Sequence, residues 1–138
     1  MTVYTKFLTP PTRHLTRYSS SQALRFIFEP AQNTLMSHYR YHVFFCTNQR
    51  EAGSACCNNH GAQSVRDYAK QRIKALKLDS NSQRVRINTA GCLDRCDEGP
   101  VIVVYPEEVW YTYVDKEDID EIIEEHLRNG RIVERLKI

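Results

Sequence analysis

Apolar positions from Tyr39 onward fall into two periods, one of strands and one of helices. Tyr39 to Phe45 is aromatic- and Val-rich and alternates imperfectly, which predicts a strand. Ala62, Val65, Tyr68, Ala69, Ile73 and Leu76 recur at three and four residues, so Ala62 to Leu76 is predicted helical. Between the two, Thr47 to Ala55 is polar, contains Gly53 and reads as a loop. Asp79 to Ser82 is a turn, and Arg84 to Asn88 alternates with Val85 and Ile87 on one face, a second strand. Val101 to Tyr105 is an unbroken apolar run of strand length, suited to burial on both faces. Pro106-Glu107-Glu108 is a short hairpin connection to a further strand over Val109 to Val114. Asp115 is placed to cap a last helix, with Asp118 three residues on as an imperfect capping box. That helix buries Ile119, Ile122, Ile123 and Leu127, carries Glu117, Asp118, Asp120 and Glu121 near its positive end, and stops at Asn129-Gly130.

The predicted order is β-α-β-β-β-α: a βαβ unit, then a hairpin, then a helix. This implies an α/β domain with a mixed four-stranded sheet and helices packed on it. The patterned region is residues 37–138. Residues 1–36 form an N-terminal extension, rich in Ser, Thr, Arg and Pro, in which only Ala23 to Phe28 has the makings of local structure. It is expected to be a flexible segment, or to lie upstream of a true start at Met36. Its Arg- and Ser-rich, acid-poor composition also fits a transit peptide.

Composition narrows the function classes. The formal net charge of +2 is too small to argue for nucleic acid as the main partner. No apolar run approaches the roughly 18–20 residues of a membrane-spanning helix. Five cysteines are an odd number, and no secretory signal pattern precedes them. A disulfide framework is therefore disfavoured, and a reducing, cytoplasmic setting is expected.

The cysteines carry the chemistry. Cys46 ends the first strand, Cys56 and Cys57 precede the first helix, and Cys92 and Cys96 share the loop between the second and third strands. Parallel strands of a βαβ unit end at the same edge, so these loops can meet there. Four thiolates are what a [2Fe–2S] cluster requires. The spacing is not that of plant-type ferredoxins. Zinc is the main alternative ligand: Cys92-x3-Cys96 fits half a zinc site, but Cys46-x10-Cys57 does not fit the usual close pair. Thiol redox chemistry would need Cys-x-x-Cys at the helix start, where this chain has Cys56-Cys57. His60 could be a Rieske-like ligand, but four cysteines already suffice. His42 and His126 are expected at a sheet edge and a helix face, and Trp110 and Tyr111 in hairpin packing or at an interface.

The stretches Tyr41-His-Val-Phe-Phe-Cys46-Thr-Asn-Gln-Arg50, Cys57-Asn-Asn-His-Gly-Ala62 and Val85-Arg-Ile-Asn88 come in a recognisable order. They are followed by Gly91 to Pro106, Val109-Trp-Tyr111 and Gly130 to Arg135. From about Tyr39 to Leu136 the chain resembles the thioredoxin-like [2Fe–2S] ferredoxins, which are similar to the peripheral iron–sulfur subunit of respiratory complex I. The resemblance implies a thioredoxin-like fold and a homodimer. It also implies one-electron transfer between a redox protein donor and acceptor, without enzymatic activity. Cys57 stands at the family's distance from Gly61-Ala62, so the implied cluster ligands are Cys46, Cys57, Cys92 and Cys96. Two other readings stay open: a zinc-binding adaptor, or the iron–sulfur subunit of an NADH dehydrogenase or hydrogenase complex. Gly91 and Gly99 are expected to bring backbone amides close to sulfur through their conformational freedom. Asp94, Asp97 and Glu98 favour an oxidised cluster and Arg95 opposes them, which leaves the net effect open.

Overall fold

The computed structural model describes residues 37–138. The extension over residues 1–36, and the readings made of it, lie outside the described residues. The ordered elements are β1 (Tyr41–Cys46), α1 (Ala62–Ala75), β2 (Val85–Ala90), β3 (Val101–Tyr105), β4 (Val109–Thr112) and α2 (Lys116–Glu121). They form the mixed sheet expected from the sequence, in the order β2-β1-β3-β4. β1 runs parallel to β2, and β3 runs antiparallel to β1 and β4.

Pairing rather than local pattern sets the strand ends. β2 runs two residues beyond the predicted Asn88, because Phe45 and Cys46 of β1 offer Thr89 and Ala90 parallel partners. β4 stops at Thr112 rather than Val114, because its partner is Val101, where β3 begins. β3 is a central strand, and its Val101, Ile102, Val103 and Val104 are all buried.

Side chains alternate across the sheet. Tyr41, Val43, Phe45, Val85, Ile87, Ile102, Val104 and Tyr111 join Ala69, Ile73, Ile119, Ile123 and Leu127 in one apolar core. Each large apolar member contributes roughly 1.5–3 kcal/mol by burial. The two helices lie side by side: Tyr68 Oη and Arg72 Nε of α1 each donate to the Asp120 carboxylate of α2 at 2.8 Å. The alternate positions His42, Phe44 and Trp110 are half-buried, and Tyr105 is exposed.

The second helix starts as predicted. Asp115 accepts from the Asp118 amide at 3.0 Å, and Asp118 accepts from the Val114 amide at 2.8 Å. The reciprocal half of the box thus reaches one residue further back than in the standard pattern. From Ile122 to Arg128 the helix widens into π turns, which turn Ile122, Ile123, His126 and Leu127 inward. His126 thus lies on the buried face of the helix. The Tyr111 hydroxyl accepts from the Val133 amide at 3.2 Å and donates to His126 Nδ1 at 2.8 Å. Burial holds the His126 imidazole below its usual pKa and so neutral. Gly130, at φ 73°, ends the helix with its amide on His126.

Candidate metal centre

β1 and β2, being parallel, end at one edge of the sheet, and all the cysteines gather there. Cys46 is the last residue of β1, and its neighbour Thr47 bonds Ala90 of β2 through its amide at 3.2 Å. Cys57 opens a 3₁₀ turn over Cys57–His60, which Gly61 at φ 69° joins to α1. A second 3₁₀ turn, Cys96–Glu98, leads through Gly99-Pro100 into β3. Neither turn is legible as a periodic pattern. Cys46, Cys57, Ala62 and Val101 form a small second core, packed by Leu93, Trp110 and Ile138.

The four predicted ligands fall into two unlike pairs. Cys46 and Cys57 are buried within hydrogen-bonding reach of each other. Burial pushes the Cys57 thiol up to about 12, against a Val101 amide that donates to its sulfur. Cys92 is exposed and Cys96 half-buried, with their sulfurs 3.5 Å apart. The Asp94 amide, 3.4 Å from the Cys92 sulfur, is the main cause of a lowered Cys92 pKa. The neighbouring Cys96 thiol and Arg50 add to it. Cys96, as donor in that pair, is raised.

Arg50 is the residue that sequence reasoning missed. It lies in the polar loop after β1 and sends Nη2 to the Cys92 sulfur at 3.2 Å. No periodicity marks it; the only signal was a cation a few residues after the first cysteine. Arg95, singled out earlier as the opposing charge, instead pairs with Glu98 and stacks 5.0 Å over the Trp110 ring.

The glycines act differently from expectation. Gly99 has φ −69°, an ordinary value, and its amide bonds the Cys96 carbonyl at 3.2 Å. It matters for space: a Cβ there would meet the Cys57 sulfur at 3.0 Å and the Cys96 oxygen at 3.2 Å. Gly91 has open surroundings. The amides that reach sulfur belong to Asp94 and Val101 instead, and Asp94 presents its own from φ 60°.

Two observations show that the pocket suits an iron–sulfur cluster. Gly99 lets the turn pass close to the Cys57 sulfur, where any side chain would crowd it. The Tyr113 hydroxyl is buried with no hydrogen-bond partner among the described residues. It stands near enough to Cys46 and Cys57 for their charge to add to burial in raising its pKa. A buried hydroxyl without an acceptor is costly, and a sulfur-rich group held at the cysteines would be a candidate acceptor. Among the described residues no three Cys, His, Asp or Glu side chains converge as on a single ion. Sulfurs grouped in twos suit a two-iron rhomb better than one tetrahedral zinc. Cys56, also buried, takes the Gln49 amide on its sulfur at 3.5 Å. His60 is exposed.

Comparison with known proteins agrees with this reading. The family described as "Thioredoxin-like [2Fe-2S] ferredoxin" matches residues 34–127. A "Ferredoxin, 2Fe-2S" of Clostridium pasteurianum is 37% identical over 110 residues, which span 75% of this chain and 100% of that one. One from Aquifex aeolicus is 40% identical over 100 residues, 70% of this chain and 87% of that one. The solved wild-type thioredoxin-like [2Fe-2S] ferredoxin of Aquifex aeolicus has a TM-score of 0.65 at 38% identity. It covers 74% of this chain and 98% of its own.

Proposed function

From the premise that this chain belongs to the thioredoxin-like [2Fe–2S] ferredoxins, which are one-electron carriers, we propose that Cys46, Cys57, Cys92 and Cys96 hold its cluster. The observation that supports this is the placing of Cys46 and Cys57 in one small buried core, with the Cys92–Cys96 pair on the adjoining loop and Gly99 bringing the Cys96 turn against the Cys57 sulfur. The bound cluster supplies the reversible one-electron chemistry. The chain's residues do the rest. Cys46 and Cys57 would hold the cluster from the small apolar core. Cys92, which is exposed, and the half-buried Cys96 would hold it from the loop before β3. The Asp94 and Val101 amides and Arg50 direct N–H groups at the sulfurs, where they stabilise negative charge.

The protein acts as a carrier between a redox protein donor and acceptor, not as an enzyme. It works in the cytoplasm, a reading supported by free cysteines and by the lack, among the described residues, of a helix long and apolar enough to cross a membrane. It is a homodimer, as the family resemblance implies; the half-buried Phe44 and Trp110 on the sheet are available for such a contact.

Anaerobically purified protein tests these points together. It should contain two irons and two inorganic sulfides per chain and, once reduced by dithionite, show the paramagnetic signal of a one-electron-reduced centre. Serine at any of the four positions should lose or alter the visible spectrum, and the protein should sediment as a dimer. Stoichiometric zinc without sulfide sinks the ligand assignment; a monomer at micromolar concentration sinks the dimer.

A further inference from the structure

Charge on this fold is distributed in two different ways. The acids of the second helical segment are largely neutralised in place. Asp118 and Glu121 pair with Arg135, Asp120 with Arg72, Glu124 with Arg128 and Glu125 with Arg131. Most cations on the outer face of α1 and at β2 are not. Arg66, Lys70 and Lys74 recur every four residues along α1, and Lys77 continues the line. Arg66 has Asp67 at 2.8 Å. Lys70, Lys74, Lys77, Arg84 and Arg86 make no ion pair with any described residue.

These cations share one surface. Lys70 and Lys74 line a groove with Arg86 and Ile87 of β2. Arg66 and Lys70 line a second with Asn88 and Thr89, an open hollow of ≈ 240 Å³ with room for a carboxylate side chain. Asp79, at the far end of the first groove, is the one acid lining either. The Arg66 Nε is buried and has no hydrogen-bond partner among the described residues, while its Nη1 is held by Asp67.

The near end of this surface abuts the cysteines. α1 begins at Ala62, which packs with Cys46 and Cys57. Thr89, in the second groove, is three residues before Cys92 and next to Ala90, the β-partner of Cys46. Cations on an edge strand also deter strand addition, and β2 is such an edge. That role accounts for Arg84 and Arg86 but not for the line of cations along α1.

We propose that the outer face of α1 and the edge of β2 form the docking surface for a redox partner whose own surface is acidic, held with its redox centre toward the cysteine edge. A second copy of this chain fits less well, because its acidic helix is already internally paired. The proposal rests on the electron-carrier reading. It adds that long-range attraction between unlike charges steers the encounter and sets its orientation.

A charge-reversed variant, Lys74→Glu, Lys77→Glu and Arg86→Glu, tests this at three exposed positions. The probe is an acidic flavodoxin, with a basic cytochrome c as the opposite control. Fluorescence anisotropy reads affinity; stopped-flow oxidation of the dithionite-reduced protein reads transfer. At low salt the wild-type chain should bind and reduce flavodoxin faster than the variant by about tenfold or more, and added salt should erase the difference. The variant's visible spectrum and melting should match the wild type. Equal affinity and rate in the two proteins overturn the proposal. So does a wild-type preference for cytochrome c that salt abolishes. Loss of binding to labelled duplex DNA by the variant, with flavodoxin transfer unchanged, makes the surface a nucleic-acid face and overturns it too. Stripe-dependent flavodoxin binding by a chain with no visible chromophore supports the surface and sinks the carrier reading.

Discussion

The two cysteine pairs differ in what holds them. Cys46 and Cys57 are each 1% exposed and belong to a small apolar core; Cys92 and Cys96 sit on a loop open to solvent. The inner pair is positioned by folding itself. β1 delivers one sulfur at its end, and the turn into α1 delivers the other. Burial opposes a free thiolate at Cys57, so as a ligand it would need a metal to offset its charge. The outer pair is positioned by polar contacts. An amide from Asp94 and a guanidinium from Arg50 already stabilise a thiolate at Cys92. One side of the centre is thus built like a core and the other like an ion-binding loop. Only the second is open to solvent.

If this division is right, crowding the inner side should do the most damage. Gly99→Val places a branched side chain against the Cys57 sulfur and the Cys96 carbonyl, both already within 3.2 Å of an added Cβ. Overpacking of this kind costs about 1–3 kcal/mol. The expected outcome is a lower melting temperature and a large loss of bound iron and sulfide, measured on protein purified anaerobically beside the wild type. Gly99→Ala should do the same in smaller measure. Full iron content and unchanged melting in both variants would show that the close approach at Gly99 has nothing to do with cofactor binding.

An intermediate effect is expected on the outer side, in electronics rather than in assembly. Arg50→Gln removes a positive charge and its bond to the Cys92 sulfur while leaving a polar side chain in an exposed loop. A cluster gains negative charge on reduction, so losing a nearby cation disfavours the reduced form. The midpoint potential should fall, with iron content and melting unchanged. Arg50→Lys should recover part of the difference, because it restores the charge without the planar fork. Potentiometric titration followed by visible absorption decides. A rise in potential, or no change in either variant, separates Arg50 from the cluster.

Sequence and structure agree most where a local cause suffices. Val101 to Tyr105 is a strand with the predicted limits because an apolar run in a central position needs no further information. Asp115 caps the last helix because the capping bond spans three residues. They part where the cause is distant. Thr89 and Ala90 are strand because β1 is beside them, and nothing in their own pattern says so. Gly99 is a spatial requirement of Cys57, more than forty residues away in the chain. Arg50 meets Cys92 across the same kind of gap. The cysteines themselves were readable because their type and spacing are chemical, whereas the residues that surround them are chosen by three-dimensional proximity.

The smallest expected effect sharpens the comparison most, because it separates adjacent residues that burial alone does not. Cys56 and Cys57 are 2% and 1% exposed, so exposure cannot choose the ligand. Their neighbours can. Cys57 lies in the apolar cluster with Cys46 and takes the Val101 amide, whereas Cys56 has extended backbone and its sulfur takes the Gln49 side chain. Gln49 also bonds Asn59 and Asn58, so the Cys56 thiol belongs to a polar tether that closes the loop onto the turn before α1. Serine is nearly isosteric there and accepts the same bond. Cys56→Ser should therefore keep the native visible spectrum, iron content and potential, with melting changed by less than about 1 kcal/mol of stability. Cys57→Ser should lose or alter the spectrum. If Cys57→Ser proves the tolerant variant, the inner ligand is Cys56 and the division between core thiol and tether thiol is drawn at the wrong residue. If both single variants keep a cluster while Cys56→Ser/Cys57→Ser does not, the loop before α1 lets either sulfur reach the iron, and the inner side is less rigid than its burial implies.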